Sequence, residues 1–236
     1  LTLPCDLVEE VARLVGYDEI PVRVPSAPIA GEPGLTADQR RKRQVADELA
    51  EYGMVETLSY PFVGDEDFQA FSYDAEKIKP VSVEIANPLA GDRPYLRRSI
   101  LPTLAHTMRR NLRRGLENVS LYEIGHVYLW DPQAPAIPAL PGGRRPSDEQ
   151  LAALDAGLPE QPLHVAAIIT GMAQETGWLG ERRAVDWTDA VEAMQRVAER
   201  LGASVRLDPP VSRDVPAPWH PGRAAKGMVG DLGIGM

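Results

Sequence analysis

Three carboxylates near the start of the chain have the types and spacing for metal chemistry. Asp6, Glu9 and Glu10 lie three and four positions apart, so a helix would carry them on one face. Hard cations such as magnesium take oxygen donors of this kind. The same residues have a plainer use, with Asp6 as helix cap, Glu9 closing a capping box and Glu10 facing the positive end of the helix dipole. A second group is basic: Arg93, Arg97, Arg98, Arg109, Arg110, Arg113 and Arg114 occupy a span without an acidic residue between Asp92 and Glu117. Guanidinium groups bind oxyanions bidentately. Arg109, Arg110, Arg113 and Arg114 are therefore candidates for contact with RNA or with a partner subunit, and a solvated helix face is the competing use. A third group, Trp219-His220-Pro221-Gly222-Arg223, reads as a turn feeding a strand, with His220 and Arg223 able to serve a pocket. Nothing pairs His220 with a nucleophile. Gly233-Ile234-Gly235 lacks the third glycine and the following helix of a dinucleotide site.

Composition narrows the field. The chain has 236 residues, 44% hydrophobic and 25% charged, enough for one large domain or two small ones. Its net charge of -9 repels polyanions at long range, so general coating of nucleic acid is not expected. A single cysteine, Cys5, and the scattered His106, His126, His164 and His220 supply neither an internal disulfide nor paired zinc ligands. No run approaches the roughly 18 apolar residues of a membrane span and no basic-then-apolar leader is present, which makes a cytoplasmic location the expectation. The chain opens on Leu1 and stops at Met236, and reads as a fragment of something longer.

These groups need elements to position them. Leu7, Val11, Leu14 and Val15 predict a helix over 6–16, closed by Gly16. Pro21, Pro25, Pro28 and Pro33 then mark an extended boundary. The pattern Thr36-Ala37-Asp38-Gln39, with Val45, Leu49 and Tyr52, predicts a helix of about 16 residues ending at Gly53. Strands are predicted over 55–62 and 81–86, and a helix from Ser99 through Leu101, Leu104, Met108 and Leu112 to Gly115. Residues 119–130 predict a central strand with a bulge near Gly125. Seven prolines between Asp131 and Pro162 suggest an insertion or mobile loop. A strand over 163–170, a helix through Val191, Met194, Val197 and Leu201, and short strands near 204–208 and 226–234 complete the pattern. Short non-helical links between strands favour an antiparallel α+β sheet over a doubly wound one.

In order along the chain, several segments resemble one family. They are Asp6-Leu7-Val8-Glu9-Glu10-Val11-Ala12-Arg13 with Gly16-Tyr17-Asp18-Glu19-Ile20-Pro21, Asn87-Pro88-Leu89, Leu96-Arg97-Arg98-Ser99-Ile100-Leu101-Pro102 and Leu121-Tyr122-Glu123-Ile124-Gly125. Thr170-Gly171, Trp178, Asp186-Trp187 and the turn at 219–223 extend the match. The chain is similar to the bacterial phenylalanyl-tRNA synthetase beta chain.

The resemblance implies a class II synthetase-like antiparallel sheet flanked by helices, in two parts: residues 1–26 as the tail of a B5-type domain with its linker, and 27–236 as a catalytic-like module with an insertion at 131–162. It implies a heterotetramer of two alpha and two beta chains, in which the alpha chain carries out ATP-dependent attachment of phenylalanine to tRNA(Phe). It also implies a magnesium site shared with the alpha chain, in which Asp6, Glu9 and Glu10 match three of four carboxylates and the fourth would precede Leu1. Class II active sites use an arginine two positions before a glutamate to bind ATP, and no Arg-x-Glu occurs in this chain. The expected role is therefore a silent structural and assembly module. The rival readings are a class II ligase or ATP-binding module using Arg97 or Arg223, and an RNA-binding surface on the arginine-rich helix.

Overall fold

The computed structural model describes residues 3–24, 34–178, 180–209, 215, 217–220 and 222–235. Backbone contacts divide the chain into two units, Leu1–Thr36 and Ala37–Met236. The boundary expected after residue 26 falls in a stretch outside the described residues.

The first unit holds helix α1, Pro4–Val15, and a single 3-10 turn, Tyr17–Glu19. Pro4 opens the helix at no hydrogen-bond cost, because the first turn has no partner for the missing N–H. The helix therefore starts before Asp6, which is its third residue and not its cap. The Asp6 carboxylate reaches back to accept the Leu3 N–H at 3.0 Å. Gly16 ends the helix at φ +109°, a backbone state that favours glycine. The apolar stripe Leu7, Val11 and Leu14 forms as its spacing predicts, yet all three residues are exposed.

The second unit contains, in order, α2 (Ala37–Glu51), β1 (Val55–Glu56), β2 (Phe62–Val63), α3 (Asp65–Ala70), α4 (Ala75–Ile78), β3 (Tyr95–Leu96), α5 (Leu101–Arg113), β4 (Val119–His126), α6 (Asp148–Ala156), β5 (Leu163–Thr170), β6 (Met172–Gln174), β7 (Arg183–Ala184), α7 (Trp187–Arg200), β8 (Arg206–Asp208), β9 (Lys226–Val229) and β10 (Leu232–Gly235). Its centre is a three-stranded sheet in the order β1-β4-β5, in which β4 and β5 are antiparallel and β1 runs parallel to β4. Among the described residues there are three smaller antiparallel sheets: β10-β9-β8, β2-β3 and β6-β7. The α+β class predicted from the sequence is the one found.

Side chains alternate across a strand, and β4 uses both of its faces. Tyr122 and Ile124 pack with Val45, Leu49 and Met54 from α2 and its exit, and with Ala193 of α7. Val119 and Leu121 pack with Ile100 and Leu104 at the start of α5, and with Val127. The central sheet is thus sandwiched, with α2 and α7 on one side and α5 on the other. Across the first layer, the Tyr122 hydroxyl donates to the Ala46 carbonyl and the Tyr52 hydroxyl to the Asp189 carbonyl, both at 3.1 Å. The Arg196 guanidinium lies 5.1 Å above the Tyr52 ring.

Several local expectations are corrected. The strand predicted over 55–62 breaks into β1 and β2, which belong to different sheets, and Leu58 and Tyr60 between them are exposed. Residues 81–86 keep only a bridge, Glu84 opposite Tyr95, because a 3-10 turn at Lys79–Val81 uses up their start. The bulge near Gly125 is absent: the β4-β5 register runs unbroken from Val119 opposite Thr170 to His126 opposite Leu163. The segment at 131–162 is more than a loop. It carries α6, whose cap Ser147 exchanges bonds with Gln150, and residue Glu160 returns to pair with Leu129. The strand predicted over 226–234 is a hairpin, β9 and β10, turned at Gly230 with φ +58°.

Helix α7 starts on a full capping box. The Thr188 N–H donates to the Asp186 carboxylate at 2.7 Å, and the Asp186 N–H to the Asp189 carboxylate at 2.8 Å. Asp189 is buried and also takes two bonds from Arg183, at 2.9 and 2.6 Å. Hydrogen bonding from Arg183 holds the Asp189 carboxyl below the usual carboxylate range. A lowered folded value means that the stabilisation is whole above the unfolded value, about 4, and is lost as pH falls through the folded one. Asp189→Asn is expected to lower the melting temperature near neutral pH, with the gap from the unchanged chain closing as pH falls below the ordinary carboxylate range. An equal gap at neutral and at acid pH would show that the carboxylate charge contributes nothing.

Candidate functional site

The fold divides six of the seven arginines into a structural set and an exposed set, and leaves Arg93 half-buried before β3. Arg97 follows β3, with its own backbone N–H bonded to the Pro61 carbonyl at 2.8 Å and its carbonyl to the Tyr128 N–H at 3.0 Å. Held at both ends, its side chain enters the layer between β4 and α5. There Nη1 donates to Glu123 Oε1 at 2.5 Å and to Thr103 Oγ1 at 3.1 Å, and Nε donates to the His126 carbonyl at 3.1 Å. Arg97 and Glu123 are 4% and 2% exposed, so the pair is sealed from water. One carboxylate oxygen, Glu123 Oε2, has no hydrogen-bond partner.

Gly125 is explained by this pair. A Cβ at that position would lie 2.2 Å from Arg97 Nη2. The glycine read from sequence as a bulge signal is instead the space through which a guanidinium crosses the strand.

Arg98 is half-buried and donates to the Val81 carbonyl, and its burial lowers the guanidinium pKa. A second polar tie holds the middle of α5, where the His106 ring meets the Asp67 carboxylate. Asp67 is itself buried and accepts the Gly64 N–H at 2.9 Å, which starts α3. The sequence pairs neither His106 nor Asp67 with the other, because a separation of 39 positions carries no short-range signal.

The last turns of α5 differ. Arg109, Arg110, Arg113 and Arg114 are exposed, and among the described residues none of them makes an ion pair. Other polar side chains of this stretch turn inward on the helix: Asn111 Nδ2 donates to the Thr107 carbonyl at 2.9 Å and Thr107 Oγ1 to the Thr103 carbonyl at 3.4 Å. The helix stops at Gly115, φ +89°.

The carboxylates of α1 are not drawn together. Glu10 is engaged by Arg13 at 2.7 Å, and Asp6 by the Leu3 N–H. Among the described residues no three histidine, cysteine, aspartate or glutamate side chains converge on a metal position. Asp6, Glu9 and Glu10 are oxygen donors of the kind that hard divalent cations take.

At the late turn, the Gly222 N–H donates to His220 Nδ1 at 3.1 Å and the Arg223 N–H to the His220 carbonyl at 2.9 Å. His220 is thereby a turn-former on the surface. Pro221 lies outside the described residues.

Taken together, the features define an α+β domain whose buried charges lock a helix onto a sheet and whose free charges lie along that helix's outer end. The family model of the phenylalanyl tRNA synthetase beta chain CLM domain matches residues 20–236. The chain belongs to that family.

Its relatives include the phenylalanine--tRNA ligase beta subunit of Bifidobacterium longum, 71% identical over 235 residues, covering 100% of this chain and 27% of the relative. The corresponding subunit of Thermobifida fusca is 42% identical over 232 residues, covering 98% of this chain and 27% of the relative. The chain thus spans about a quarter of the length of the curated relatives it matches. Among solved structures, two of the pyrrolysyl tRNA synthetase of Desulfitobacterium hafniense align over 84% of this chain. They cover 56% and 57% of those chains, with identities of 17% and 16% and TM-scores of 0.47 and 0.48.

Proposed function

We propose that this chain is a non-catalytic structural and assembly part of the phenylalanyl-tRNA synthetase beta subunit. It supports an alpha chain that performs the ATP-dependent attachment of phenylalanine to tRNA(Phe), in a cytoplasmic tetramer of two alpha and two beta chains. Family membership supports the ligase context. The observation that carries the silent role is the Arg97–Glu123 pair. Binding a nucleotide needs a guanidinium open to phosphate, whereas this arginine is buried and its hydrogen bonds go to Glu123, Thr103 and the His126 carbonyl. With no Arg-x-Glu in the sequence, the reading of Arg97 as a catalytic arginine loses its support.

The resemblance that suggests magnesium fits the donor chemistry of α1. In the proposed assembly Asp6, Glu9 and Glu10 contribute to a site that other ligands complete. ATP belongs to the complex, consumed at the alpha chain.

The test is phenylalanine-dependent ATP–pyrophosphate exchange. The isolated chain is expected to show none, and co-purification with an alpha chain is expected to accompany tRNA charging. Robust exchange by the chain alone would overturn the assembly role.

A further inference from the structure

We propose that the outer end of α5 is a docking surface for RNA phosphate, with Arg109, Arg110, Arg113 and Arg114 as the contact residues. Residues three and four apart on a helix are neighbours, about 5–6 Å between Cβ atoms, so the four guanidiniums form one strip. The strip is presented by a helix that cannot easily shift. Leu104 and Ile100 bury its start against β4, and the His106–Asp67 contact ties its middle to α3.

Charge complementarity selects the partner. Seven of the chain's 25 basic residues lie between Asp92 and Glu117 with no acidic residue among them, so all 34 carboxylates lie elsewhere. A polyanion repelled by the rest of the molecule is steered to this strip. The helix dipole favours a cation or two in the last turn of any helix. It does not account for four arginines with no carboxylate partner among the described residues.

A protein partner fits less well. The centre of a protein interface is built on aromatic and other apolar anchors. The stretch from Arg109 to Leu116 has no aromatic residue, and its exposed large apolar side chains are only Leu112 and Leu116. Asn111 and Thr107 donate to the helix backbone, and Arg110 Nη2 donates to Thr107 Oγ1 at a long 3.5 Å, so the guanidinium charges keep no counter-ion among the described residues and can address a ligand. Contacts of this kind position a backbone and read no sequence.

That the RNA is tRNA rests on the function proposed above, and the experiment separates the two. In the assembled ligase carrying this chain, tRNA affinity is measured by anisotropy across a salt series. The variant has Arg109→Gln, Arg110→Gln, Arg113→Gln and Arg114→Gln, and a matched variant has lysine at the four positions. Loss of four phosphate contacts is expected to reduce the slope of log Kd against log salt by about 3. The lysine variant is expected to keep most of the slope, and KM for tRNA is expected to rise in the glutamine variant with kcat unchanged. An unchanged slope in the glutamine variant overturns the proposal. So does retention of the slope together with loss of the alpha chain on purification, which would assign the strip to subunit contact. If the unaltered assembly fails to charge phenylalanine, the proposed function fails, and the salt slope still decides whether the strip binds RNA.

Discussion

Arg97→Ala is expected to destabilise the chain by about 3–5 kcal/mol. The cost comes less from the lost attraction than from what is left behind. Glu123 is fully enclosed between β4 and α5, and one of its oxygens already lacks a partner. Without the guanidinium the carboxylate is stranded in the layer with no counter-charge, and the layer must open to water to solvate it. Glu123→Gln in the Arg97→Ala background should then recover part of the loss, because it removes the charge that was stranded. Urea unfolding of the single and double variants gives the comparison. Additive losses would show that the two residues are not energetically coupled.

Leu104→Ala is expected to cost about 2–5 kcal/mol. Leu104 is 0% exposed and packs among Ile100, Val119, Leu121 and Val127, where the β-branched and backbone neighbours have little room to close a cavity. Through this residue α5 reaches its place on the sheet. The variant is expected to lower the melting temperature. A loss below about 1 kcal/mol would mean that α5 is held mainly by its polar ties.

How much of this was legible beforehand depends on the range of the interaction. The helices α1, α2, α5 and α7 were all anticipated, because a repeat of three and four positions reports an apolar face whatever the partner is. The β4 and β5 strands were anticipated for the same local reason. Where a strand depended on a neighbour, local reading failed. Residues 55–62 have the residue types of one continuous strand, but Val55 finds β4 and Phe62 finds β3, so the chain between them leaves the ladder.

Gly125 shows the limit at a single residue. Its type indicated an irregularity in β4, and the irregularity was placed in the backbone. The cause is a guanidinium arriving from a position 28 residues earlier, and nothing near Gly125 in sequence refers to it. The candidate residues divide in the same way. Spacing marked all seven arginines as one cluster, but burial separates Arg93, Arg97 and Arg98 from the exposed four. Spacing also grouped Asp6, Glu9 and Glu10. A backbone N–H and Arg13 then claim two of the three.

By itself the sequence determined the α+β class, the main helices and the two long strands. It also determined the likeness to one family and the missing Arg-x-Glu, all of which are properties of short windows read in order. Only the tertiary structure decided which charges are spent and which remain free. A charge is spent when a distant partner meets it out of water, and the distance that matters there is through space.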